Sequence, residues 1–114
     1  MWESVTKKDI LSINRQFDKG QMINESSLEY ALNQANETKS WLRACAILVR
    51  AILIDNVFEE GNKRTSASVI TAFFEQHNLR YDPEKIARTI TKILMKNITS
   101  LAKIEKEIAN DIIR

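Results

Sequence analysis

The sequence predicts an all-α fold: a compact bundle of about six helices around a buried central helix. Three observations carry this prediction. Apolar residues recur at three- and four-residue spacing along most of the chain, which is the helical period. Two glycines and one proline are too few for the many tight turns of a β-sandwich or barrel. Residues 44–54 are apolar almost all round, as befits a helix in the middle of a bundle. The 114 residues suit one domain, residues 1–114, with ordinary hydrophobic and charged fractions for a globular chain.

Thr6 followed three residues later by Asp9 reads as a capping box, with Asp in place of Glu. Ile10, Ile13, Asn14 and Phe17 follow at helical spacing, and Gly20 is the expected stop. Ser26 or Ser27 can cap a second helix to about Gln34, with Leu28, Ala31, Leu32 and Ala35 on one side. Thr38 or Ser40 opens the central helix. Its charged exceptions, Arg43 and Arg50, lie seven apart and share a face. A polar loop over residues 55–61 contains Phe58. A fourth helix starts near Asn62, carries Ala67, Ile70, Phe73 and Phe74 inward, and ends near His77–Asn78.

Asp82-Pro83 combines a cap with proline at the first helical position and starts a fifth helix. That helix buries Ile86, Ile90, Ile93 and Leu94 and ends at Asn97. Thr99 or Ser100 caps a sixth, whose stripe is Leu101, Ile104, Ile108 and Ile112. No strand is expected.

Composition also excludes chemistry. The single cysteine, Cys45, rules out an intrachain disulfide and a multi-cysteine zinc site, and it fits a reducing compartment. It reads as a small core residue. The single histidine, His77, rules out a multi-histidine metal site and is assigned a helix-end role. A net charge of +2 is too small to imply a polyanion partner. The first ten residues contain no continuous apolar run, so no signal peptide is expected. The longest apolar run is broken by Arg50 and falls short of a membrane span of about 20 residues. The expectation is a soluble, cytoplasmic protein with no membrane partner.

The informative stretch is Asn56-Val57-Phe58-Glu59-Glu60-Gly61-Asn62-Lys63-Arg64. The helix start at Asn62 offers unpaired N–H groups and the positive end of a helix dipole. Gly61 permits close approach and unusual dihedrals. Lys63 and Arg64 oppose the dipole, which costs stability unless an anion is near. Glu60 either neutralises one of them or holds a Mg²⁺ that bridges phosphates. A plain helix cap beside a solvated charge cluster is the other reading of the same residues.

This stretch resembles the core motif of the Fic/Doc family, His-Pro-Phe-x-Asp/Glu-Gly/Ala-Asn-Lys/Gly-Arg. Phe58, Glu60, Gly61, Asn62, Lys63 and Arg64 match it, and Lys63 is similar to the short Doc branch. Residues 6–15, the segment Ser27-Leu28-Glu29-Tyr30-Ala31-Leu32 and residues 65–82 resemble Doc-type segments more loosely. The resemblance spans roughly residues 6–85. It implies a Fic/Doc-like helical bundle and transfer of AMP or a phosphoryl group from a nucleotide to a protein hydroxyl (AMPylation, in most members). By position, it implies Mg²⁺ binding at Glu60, an ATP-type nucleotide with its phosphates at Gly61, Asn62 and Lys63, charge neutralisation by Arg64, and Phe58 as the loop's anchor.

The first motif position departs from the pattern. Asn56 stands where the family has the His that accepts the proton of the attacking hydroxyl. An amide has no titrating group near neutral pH, and losing a general base costs about 10²–10⁴-fold in rate. No catalytic residue is therefore assigned. The expectation is a pseudoenzyme, or a strongly impaired transferase, that keeps nucleotide-phosphate binding. Val57 replaces the usual proline. Only residues 33–40 fill the interval where the family carries a target-docking flap, and no inhibitory motif is present.

The alternative is a non-catalytic interaction or regulatory module, of the kind found as a toxin–antitoxin partner, or a nucleic-acid binder through the basic stripe Lys85, Arg88, Lys92 and Lys96. No aromatic residue interleaves with that stripe, so nucleic acid is not the expected partner. The C-terminal stripe leaves a protein partner or a homodimer open. Trp2 and Trp41 read as packing residues.

Overall fold

A computed structural model describes residues 4–113 and shows an all-α fold. Six helices run in order: α1 (Lys7–Asn14), α2 (Glu25–Glu37), α3 (Trp41–Ile54), α4 (Asn62–Gln76), α5 (Pro83–Met95) and α6 (Leu101–Ala109). Two short strands accompany them, β1 (Arg80–Tyr81) and β2 (Ile112–Ile113), paired antiparallel with Arg80 opposite Ile113. The radius of gyration is 12.7 Å, that of a close-packed chain of about this length.

Helix α3 is the centre, as its apolar circumference predicts. Residues 44–49 and 51–53 are buried, and the helix packs against α2, α4 and α6. Its two arginines leave the core together. Arg43 pairs with Glu105 of α6 at 3.0 Å, and Arg50 donates to the Thr99 carbonyl at 3.4 Å. Phe74, Ile70, Ile86, Ile93, Ile104 and Ile108 complete the interior from α4, α5 and α6. Cys45 is fully buried, and burial pushes its thiol far above the usual range, so it is inert packing. No helix among the described residues is long and apolar enough to cross a membrane.

The caps match the local sequence. Thr6 and Asp9 form the reciprocal box at α1. Ser40, Asp82 and Ser100 each accept a helical N–H at the starts of α3, α5 and α6, and Pro83 occupies the first turn of α5. His77 caps the C-terminal end of α4, and its ring stacks on Trp41 at 4.6 Å. Trp2 lies outside the described residues.

Four local expectations are corrected. Helix α1 ends at Asn14, not at Gly20, and Phe17 is 37% exposed beyond its end. Helix α2 starts at Glu25, so Ser26 and Ser27 lie inside it, and it runs on to Glu37. Ile112 leaves the α6 stripe to enter β2. The absence of strands fails at β1 and β2, whose pairing joins residues about thirty positions apart and leaves no local signal.

Candidate functional site

The loop between α3 and α4 is built from both sides. Val57 and Phe58 are completely buried and anchor it in the core. Asn62 closes it from within. Its amide donates to the Phe58 carbonyl at 2.8 Å and accepts from the Phe58 N–H at 3.1 Å. From outside, the connection between α1 and α2 lies along the loop. Glu59 N–H donates to Gln21 O at 2.9 Å, and Ile23 N–H donates to Val57 O at 2.8 Å. Asn24 donates to the Asp55 carbonyl, and Ser27 donates to the Asp55 carboxylate at 2.7 Å.

Asn14 ties these pieces together. It is fully buried at the end of α1. Its Nδ2 donates to Glu60 O and to Thr65 Oγ1, each at 3.0 Å, and its Oδ1 accepts from Gly20 N–H at 2.9 Å. Gly61 caps α4 with φ +81°, a left-handed conformation that costs a residue with a Cβ. A Cβ there would also stand 3.0 Å from Asn14 Nδ2. Left-handed Gly61 followed by helical Asn62 is the arrangement in which successive N–H groups turn to one side. Among the described residues, no hydrogen bond occupies the amides of Gly61, Asn62, Lys63 or Arg64, the groups that a helix start leaves orphaned.

A hollow of about 530 Å³ opens over this turn. All five residues from Glu60 to Arg64 border it, together with Asn56. Phe17, Leu53 and Leu94 form an apolar wall, and Asp18 and Glu59 add carboxylates. Glu60, Lys63 and Arg64 are exposed and make no ion pair among the described residues. The predicted residues thus converge on one hollow, with one refinement. The Asn62 side chain is spent on Phe58, so it offers a ligand only its backbone N–H.

The electrostatics constrain the ligand. Asp18, Glu59 and Glu60 outnumber Lys63 and Arg64 around the hollow. A bare polyanion is not matched by that balance, whereas an anion accompanied by a divalent cation is. The described residues contain no cluster of three His, Cys, Asp or Glu groups able to cage a metal.

No histidine borders the hollow among the described residues; the titratable acceptors around it are the carboxylates of Asp18, Glu59 and Glu60. Asn56 borders the hollow with φ +51° and an exposed side chain. Asp55, the neighbouring carboxylate, does not border the hollow and is engaged by Ser27. His77 stands at the opposite end of α4. Sequence reasoning did not single out Asn14 or Asp18 as site residues. A signal for Asn14 existed: a polar residue within the apolar stripe of α1. Asp18 carried none.

Comparison with protein-family models, curated proteins and solved structures finds no match for this chain.

Proposed function

We propose that this chain is a degenerate Fic/Doc-like protein that binds the phosphates of a Mg²⁺-accompanied nucleotide at the start of α4 and lacks effective transferase activity. The supporting observation is the open turn itself. Gly61–Arg64, whose amides have no partner, border a hollow large enough for a ligand, with unpaired Lys63 and Arg64 among them. On this reading Glu60, which borders the hollow, would share a Mg²⁺ with the phosphates. The ion would neutralise phosphate charge and offset the excess of carboxylates. Arg64 would contribute a charge-assisted hydrogen bond. Asn56 can orient a hydroxyl but cannot take its proton at neutral pH. We place the protein in the cytoplasm.

A second reading, an interaction or regulatory module that keeps only the fold, has one observation in its favour. Helix α2 runs to Glu37, and three residues then lead into α3, so this interval holds no hairpin to dock a target strand. A toxin–antitoxin-type partner or a second copy of the chain belongs to this reading.

Calorimetric titration with Mg²⁺-ATP separates the two. The first reading expects saturable binding that depends on Mg²⁺. It also expects Arg64→Ala to weaken binding about 10–100-fold, the value of a hydrogen bond to a charged group. Glu60→Ala removes the Mg²⁺ dependence. No heat from ATP or other Mg²⁺-nucleotides, with the fold intact, leaves the interaction module.

A further inference from the structure

Asp111 follows α6 and directly precedes β2, and it is only 4% exposed. Its Oδ1 accepts the hydroxyl of Thr89, on α5, at 2.9 Å. Its Oδ2 is enclosed and has no donor among the described residues. A carboxylate in that position is poorly compensated as an anion. The Thr89 hydroxyl, donating to Oδ1, favours the charged form, but burial with Oδ2 left without a donor favours the neutral acid more.

The charges around it do not reverse this preference. Lys85 and Arg88 on α5 attract the carboxylate, and Glu107 on α6 repels it. Lys92, which borders the same cleft, is held by Glu107 at 2.9 Å. On the strand side, Arg80 and Tyr81 of β1 stand opposite Ile113 and Ile112, the residues that follow Asp111. Burial outweighs these charges and holds the carboxyl above its ordinary range.

The position gives this chemistry a consequence. Strand β2 has two residues, and its one strand partner among the described residues, β1, also has two. So short a pair has no stability of its own and depends on what fastens it to the bundle. The Asp111–Thr89 contact is such a fastening, one residue from the strand.

We propose that Asp111 is a proton-operated latch for β2: the protonated side chain fastens the strand to α5, and release of that proton to solvent loosens it. The sign follows from linkage. The closed state binds the proton more tightly than the open state. Closure therefore strengthens as pH falls through the raised value and levels off below the ordinary aspartate value of about 3.9.

Amide hydrogen exchange on the intact chain, followed by NMR and corrected for the intrinsic pH dependence of exchange, tests this. The opening constant of the β1 and β2 amides is expected to rise with pH, by at most about tenfold per pH unit, the limit for one proton. The α3 amides serve as the internal reference and should not follow. Asp111→Asn should hold β2 at its low-pH protection at every pH. Equal β1–β2 protection at about pH 4.5 and about pH 7.5 overturns the latch. So does a change shared in parallel by α3, or an Asp111→Asn protein that keeps the wild-type pH response. If the variant does not fold, the wild-type series decides alone.

Discussion

The backbone at position 56 turns with φ +51°, a region that asparagine and histidine both enter far more readily than most residues. Asn56→His therefore asks nothing new of the loop and supplies an imidazole that titrates near neutral pH. On the proposed Fic/Doc-like reading, this one change gives label transfer from ATP to protein, by up to about 10²–10⁴-fold over the parent. Mass spectrometry of the reaction mixture reads the gain, and nucleotide affinity should stay unchanged. Binding without transfer would put the defect in target docking, where three residues stand between α2 and α3. At this scale the sequence was informative about residues 56–64, because contiguous residues report their own spacing. It was silent about Asp18, which reaches the hollow only through the path of the chain after α1.

At the scale of the element, the α3–α4 loop owes its shape to a residue more than forty positions away. Asn14→Leu keeps the number of side-chain heavy atoms but strands Gly20 N–H, Glu60 O and the Thr65 hydroxyl inside the protein. Buried groups without partners cost about 1–3 kcal/mol each, so the variant should lose about 2–4 kcal/mol in urea denaturation after partial relaxation. Asn36→Leu, which cuts a similar two-bond clamp on the Val5 backbone at an exposed side chain, should lose less than half of that. Equal losses would mean that Asn14 is an ordinary packing residue. The same contrast explains what could be read in advance. Caps at Thr6, Ser40, Asp82 and Ser100 act within three residues and were legible. The end of α1 was not, because Asn14 turns its side chain to a distant loop. Nor was β2: Ile112 stands four residues after Ile108 and continues the helical period, although α6 has ended at Ala109.

For the whole molecule, the charge balance decides which partners the surface can attract. The basic side of α5 was legible as Lys85, Arg88, Lys92 and Lys96, but its neutralisation was not, since Glu107 arrives from α6. Lys92 meets Glu107 at 2.9 Å, and Arg88 lies 3.9 Å from Glu84. The second pair is exposed and worth little. The first removes one of four charges from the stripe. A polyanion gains affinity by releasing about one counterion per phosphate neutralised, so a stripe this short gives a shallow salt dependence. Fluorescence anisotropy with a single-stranded RNA and a DNA duplex should show weak binding, with a log–log salt slope no steeper than about −3. Lys92→Glu with Lys96→Glu should change affinity little at about 0.15 M salt, where the Debye length is about 8 Å. Tight binding with a steeper slope, abolished by the same double reversal, would move the function from the hollow over α4 to the outer face of α5. Loss of Mg²⁺-nucleotide binding in that double variant would instead join the two surfaces, since Leu94 of α5 forms part of the hollow's apolar wall.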